Sequence, residues 1–181
     1  YARIAVYVDG KRVVDEMIDC AEKEVTVIDR TESAKSVVEI IKLSESPMSA
    51  VGVEAFAEGI AEALPEKQLK IEFIGDSITC GYGVDDEDVN HQFTTATEDV
   101  TKAYAYKTAK ALDAEYSMFS ASGYGIVSGY TEGDEPIGEQ TIPQFYCSYG
   151  FSRGNFAGTA PQDIPWDFSK YVPQIIVINL G

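Results

Sequence analysis

The sequence predicts an α/β protein, a doubly wound parallel sheet preceded by part of an antiparallel β-sandwich. Three observations predict it. Residues 1–68 read as short strands separated by turn residues, the spacing of a sandwich. Residues 69–181 read as strand, helix, strand, long connection and strand, the order of a doubly wound layer. The last run, Gln174–Leu180 (QIIVINL), is apolar almost throughout, as a strand covered on both faces of a parallel sheet must be.

Taken in order, Ala2–Val8 reads as a strand that runs into Asp9-Gly10. That dipeptide is a strong two-residue hairpin signal, because Asp and Gly tolerate the positive φ that such turns require. Arg12-Val13-Val14 returns from it. Glu24–Ile28 alternates with period two, like a half-buried strand. Ser36–Leu43 and Val51–Ala57 continue the theme on either side of the turn-like Glu45-Ser46-Pro47. Nothing in residues 1–68 points to chemistry, and their Glu and Lys read as the solvated faces of strands. The polar stretch Leu64–Gln68 marks a boundary between residues 1–68 and 69–181. Lys70–Ile74 then forms a strand ending at Gly75, the Ala- and Lys-rich Val100–Leu112 a helix, and Tyr116–Phe119 a second strand.

The chain has 181 residues, with 14 Lys and Arg against 30 Asp and Glu, a formal net charge of −16. Both parts share the acidity, and no basic stripe interrupts it. Phosphate backbones and anionic lipid heads are repelled by such a surface, which excludes nucleic acid and membrane as partners and favours a neutral substrate. The 45% apolar share is enough for a packed core. No run approaches 18 apolar residues, and the absence of a leader before Tyr1 is uninformative in a chain that opens on a strand. Cys20, Cys80 and Cys147 fit no metal spacing and leave one unpaired after any disulfide, which leans towards reduced thiols and a cytoplasmic setting. The acidic run Asp85–Asp88 lacks the alternation and glycine of a calcium loop and reads as solvated. Two long loops, Val84–Asp99 and Gly129–Pro173, exceed the needs of a connection and read as binding surfaces.

The chemistry points to Gly75-Asp76-Ser77-Ile78-Thr79-Cys80-Gly81, delivered by a strand at the carboxyl end of the sheet, where open α/β folds place ligands. A phosphate-binding P-loop fails, because five residues separate the glycines and Tyr82 stands where a Lys is needed. The Gly-x-Ser-x-Gly elbow fails for want of its second glycine. What the segment does resemble is the Gly-Asp-Ser block of the SGNH, or GDSL, serine hydrolases, with Ser77 in the nucleophile's place. Ser120-Ala121-Ser122-Gly123-Tyr124-Gly125 resembles the second block, whose glycine (Gly123, with Gly125 as neighbour) offers a backbone N–H to the oxyanion. Asn179-Leu180-Gly181 resembles the opening of the third.

Within that class, Gly75–Gly83, Phe93–Glu98, Tyr104–Lys107 and Trp166-Asp167-Phe168 resemble the acetyl esterases of carbohydrate esterase family 2. The resemblance implies a β-sandwich (jelly-roll) ahead of a flavodoxin-like SGNH domain, secretion, and deacetylation of xylan- or glucomannan-type saccharides without cofactor or metal. It implies Ser77 as nucleophile and the backbone N–H groups of Ser77 and Gly123 as oxyanion donors. It also places the catalytic His and the side-chain Asn donor in blocks that fall after Gly181. The single histidine, His91, sits in a polar loop and reads as solvated rather than as the base. A domain that ends on a buried strand leaves apolar surface and backbone groups uncovered. The expectation is therefore a front half, completed by a C-terminal segment that brings the Asn and His.

Sugars stack on aromatic faces, and Tyr124, Tyr130, Phe145, Tyr146, Tyr149, Phe156 and Trp166 crowd the second long loop. Most of them read as packing residues; Trp166 is the candidate sugar contact. An SGNH lipase or thioesterase, or a carbohydrate-binding module that has lost catalysis, are the alternatives. The oligomeric state stays open, a homo-oligomer included.

Overall fold

The computed structural model describes residues 1–54, 61–155 and 158–180. Strand β1 (Ala2–Val8) lies between β2 (Lys11–Ile18) and β3 (Val38–Lys42) in an antiparallel sheet. The turn joining β1 to β2 has Asp9 at φ 51° and Gly10 at φ 81°, both central positions left-handed, as the dipeptide demands. Asp9 also accepts hydrogen bonds from the Val37 N–H and the Ser36 hydroxyl, both at 2.9 Å, tying the turn to the entry of β3.

The second sheet is parallel. Strand β4 (Lys70–Gly75) lies between β5 (Glu115–Ser120) and β6 (Ile175–Asn179). Between β4 and β5 run a one-turn helix α1 (Ser77–Cys80) and a two-turn helix α2 (Tyr104–Ala111). Period two sorts β4. Ile71 and Phe73 pack on Ala105 and Ala109 of α2, while Ile74 faces Ala121, Tyr124 and Ile142 of the later loops. Glu72, on that second side, is buried and accepts the Tyr146 hydroxyl at 2.7 Å. Strand β6 pairs with β4 on one side; on its other side there is no strand among the described residues, and Ile175, Ile176 and Ile178 are exposed.

The two sheets share a core and a charged seam. Ala5, Ile41 and Leu43 of the antiparallel part pack with Tyr106 and, beside them, Tyr116 and Met118. Arg3 pairs with Asp85 at 2.7 Å and Arg12 with Asp99 at 2.9 Å.

Several expectations are corrected here. Glu24–Ile28 is not a strand: its valines are half-buried and alternate as the pattern demands, yet the backbone finds no partner strand among the described residues. Residues 51–54 are likewise irregular, and the rest of the expected strand Val51–Ala57 lies outside the described residues, as do Phe156 and Gly181. The expected helix Val100–Leu112 is split. Asp99 caps a 3₁₀ turn over Val100–Lys102, Ala103 is extended (φ −74°, ψ 160°), and the α-helix begins only at Tyr104. Asp85 is not a solvated residue of an acidic run but a half-buried partner of both Arg3 and Lys102. Nor are the charges of residues 1–68 all solvent-facing, since Arg3, Arg12, Lys42 and Glu45 turn inward at the seam.

Candidate active site

Parallel register brings the three sequence blocks to one edge. Gly75 stands beside Ser120 of β5 on one side and Asn179 of β6 on the other. The segments that continue from those positions, Asp76-Ser77 and Ala121–Gly125, therefore leave the sheet side by side at its carboxyl end.

Each segment has a local reason for its shape. Asp76 caps α1, its side chain accepting the Ile78 N–H at 3.0 Å, so Ser77 is the first residue of the turn and half-exposed. Gly75 permits the close return of α1: a Cβ there would lie 1.9 Å from Thr79 Oγ1. Thr79 is in turn fully buried, its hydroxyl 3.0 Å from that of Tyr104. On the second segment Gly123 has φ 80°, a left-handed conformation that glycine adopts without strain.

Backbone hydrogen bonds distinguish the candidates. In the second segment the Ala121 N–H donates to Gly75 O (3.1 Å), Ser122 N–H to Glu45 Oε2 (2.6 Å), Tyr124 N–H to Ala121 O (3.2 Å) and Gly125 N–H to Gln140 O (3.3 Å). The Gly123 N–H has no protein acceptor among the described residues, and neither has the Ser77 N–H. Gly125, the neighbouring candidate, is thus occupied. The Ser77 hydroxyl likewise makes no hydrogen bond to the described residues. His91 does not approach it; the ring is mostly exposed, with Nδ1 2.8 Å from Asp86 Oδ1.

The aromatic loop divides into packed and exposed rings, fewer of the expected residues being packed than the sequence suggests. Tyr124, Phe145, Tyr146 and Phe151 close over Ile74 and Ile142, with Phe145 and Phe151 stacked at 4.2 Å. Tyr130 and Tyr149 are exposed. Trp166 is half-buried, tilted on Tyr149 at 5.9 Å and tied by its backbone N–H to Cys147 O. Beside the site, the Tyr82 ring stacks on Phe93 at 3.8 Å and pins the first long loop to the end of α1.

Sequence reasoning missed a buried polar cluster behind the Ser77 turn. Carboxylate oxygens of Glu45 and Glu98 and the Cys80 sulfur lie within 4.8 Å of one another. Burial holds the Glu98 carboxyl up at about 8 and pulls the Lys42 ammonium down to about 8. Burial, reinforced by the Glu45 charge, raises the Cys80 thiol. A cavity of about 350 Å³, lined among others by Leu43, Glu45, Cys80, Met118 and Phe151, opens between β3, the Glu45 turn and the end of β5. Glu45, Cys80 and Glu98 also constitute a donor set for a metal ion, but burial and the Glu45 charge, which raise the Glu98 carboxyl, make a proton the simpler occupant.

No family model matches the chain. It is 39% identical over 127 residues to the cellulase/esterase CelE of Acetivibrio thermocellus, an alignment covering 70% of this chain and 14% of that protein. It is 30% identical over 184 aligned residues to an acetylxylan esterase/glucomannan deacetylase of Cellvibrio japonicus, covering 98% of this chain and 48% of that one. The chain thus spans less than half the length of either curated relative. Among solved structures, a family two carbohydrate esterase from Clostridium thermocellum in complex with cellohexaose matches at a TM-score of 0.78 and 28% identity, over 99% of this chain and 52% of that one. An acetyl xylan esterase, Est2A, from the rumen bacterium Butyrivibrio proteoclasticus shares the fold at a TM-score of 0.82 and 22% identity, over 99% and 49%.

Proposed function

We propose, for a chain related in sequence and fold to the carbohydrate esterases of family 2, that it carries the nucleophile and backbone oxyanion donors of a serine esterase. Its substrates are O-acetylated plant cell-wall saccharides of the acetylxylan or glucomannan type. Residues 69–181 then form the first part of a doubly wound SGNH domain, and residues 1–68 part of a jelly-roll.

In this reading Ser77 Oγ attacks the acetyl carbonyl while a general base takes its proton. The carbonyl oxygen becomes an oxyanion, held by the N–H groups of Ser77 and Gly123. Collapse breaks the ester bond, the sugar oxygen leaves with the proton, and the acetyl group remains on Ser77 Oγ. Water then attacks the acetyl-enzyme, freeing acetic acid and the serine. The observation that carries the reading is the convergence of three blocks on Gly75, with the Ser77 and Gly123 N–H groups on the segments that leave it having no protein acceptor among the described residues. His91 is engaged with Asp86, so the base and the side-chain oxyanion donor are assigned to a further segment of the protein. Relatives of about twice this length support that assignment. Such a segment would also cover the outer edge of β6. Trp166 is assigned a sugar-stacking role.

The test is acetate release from acetylated xylan by the full-length protein and its Ser77→Ala variant. The variant is expected to lose at least about 1000-fold in kcat. Equal rates would refute the nucleophile assignment; sugar binding without any acetate release by the unmodified protein would refute the esterase.

A further inference from the structure

We infer that Glu45, a residue of the antiparallel part of the chain, is a positioning residue for the oxyanion donor, holding the Ser122–Gly123 backbone through the Ser122 N–H. The inference rests on the serine-esterase reading above and extends it to a group outside the hydrolase blocks.

The geometry that carries it is a chain of contacts across the seam. Glu45 follows β3 by three residues and is 6% exposed. Its Oε2 accepts the Ser122 N–H at 2.6 Å, one peptide before the Gly123 N–H, which has no acceptor among the described residues. The same oxygen lies 3.6 Å from Cys80 Sγ, at the far end of the turn that begins with Ser77. One carboxylate oxygen therefore touches both segments that supply the proposed oxyanion donors.

Glu45 is itself fixed from behind. Its backbone N–H donates to Glu98 Oε2 at 3.0 Å, and Lys42 Nζ donates to the carbonyls of Ser44 (2.6 Å) and Glu45 (2.8 Å). The remaining oxygens, Glu45 Oε1 and Glu98 Oε1, have no partner among the described residues.

The loop needs this anchor. Gly123 is left-handed and has no side chain to seat it, so the direction of its N–H is set by the peptides on either side. On the downstream side Gly123 O accepts the Tyr130 N–H at 2.7 Å. On the upstream side the bond to Glu45 fixes Ser122. Removing the acceptor leaves a partly buried N–H unsatisfied and frees the peptide to rotate, which misdirects a donor whose value depends on its aim. Substrate binding in the ground state depends little on that aim, so the loss belongs in kcat.

The experiment uses the full-length protein with p-nitrophenyl acetate and acetylated xylan, rates being referred to folded protein measured by circular dichroism. Glu45→Met has a similar volume and cannot accept the N–H; its kcat is expected to fall about 10- to 100-fold with KM within about twofold. Glu45→Gln keeps a carbonyl oxygen in place and is expected to retain kcat within about threefold. Such rescue separates an acceptor role from mere packing. If Ser77→Ala is inactive and Glu45→Met keeps the parental kcat, or if both Glu45 variants lose activity equally, the positioning role is overturned and the esterase reading stands. If Ser77→Ala stays active, both fall.

Discussion

The Arg12 guanidinium crosses from the antiparallel sheet to the carboxylate of Asp99, with Nη1 2.9 Å from Oδ2, and Asp99 is wholly buried. The other carboxylate oxygen is taken by the Thr101 N–H at 2.9 Å. Asp99 thus caps the 3₁₀ turn leading to α2 while its charge is neutralised from the other sheet. Replacing Arg12 with Met leaves that charge only the more distant Lys102, 4.0 Å away, and is expected to destabilise the protein by about 3 kcal/mol. Adding Asp99→Asn to the same variant should recover much of the loss. Urea denaturation of the two single variants and the double variant measures the coupling; additive effects would dissolve the pair as a source of stability.

Glu98 predicts a pH dependence with a definite sign. Its folded-state value of about 8 lies above the ordinary 4.5 because of burial, with the Glu45 charge adding to it. Between those values the folded protein holds a proton that the unfolded chain has lost, so this contribution to stability is full below pH 4.5 and declines as pH rises to about 8. The decline amounts to no more than about 5 kcal/mol. Lys42, lowered to about 8 by burial, opposes it only at higher pH. Glu98→Gln should flatten the stability curve between pH 5 and pH 8 on this account, and a curve of unchanged slope in thermal melts would contradict it.

Gly75→Ala is expected to cost about 1–3 kcal/mol, because the new methyl would overlap Thr79 Oγ1 and Cβ at 1.9 and 2.5 Å. The buried Thr79 has no room to retreat, so α1 must move and carry Ser77 with it. A drop in melting temperature together with a loss of kcat is the expected pair of readings. A variant of parental stability would mean that the turn is looser than its packing indicates.

The three thiols should separate by accessibility. Cys20 and Cys147 are exposed, whereas Cys80 is buried and its thiol is held protonated by burial and by the nearby Glu45 charge. Alkylation of the native protein is expected to modify two cysteines, with Cys80 reacting only after denaturation. Mass spectrometry of peptides after brief iodoacetamide treatment decides the matter, and early labelling of Cys80 would show that the cluster opens.

What could be read in advance is what local geometry dictates. The Asp9-Gly10 turn and strand β4, ending at Gly75, depend on residues close in sequence, and each is where its residue types place it. The same holds for the apolar run of β6, although its isoleucines are more exposed than a central strand's would be. Glu24–Ile28 failed for the complementary reason. A period-two pattern describes which side chains face inward, while a strand also needs a neighbouring backbone, and none among the described residues pairs with it.

The candidate site divides along the same line. Ser77, Gly123 and Asn179 were recognisable in the chain because each sits in its own short block. Their adjacency and the freedom of the Gly123 N–H were decided by tertiary structure, through the parallel register on Gly75. Glu45 was invisible to sequence reasoning because its partner Ser122 lies 77 residues away, and a turn glutamate normally belongs in water. Local covalent geometry and residue type determine turns, caps and strand faces. Burial, register and the pairing of charges across a seam exist only once distant segments are packed together.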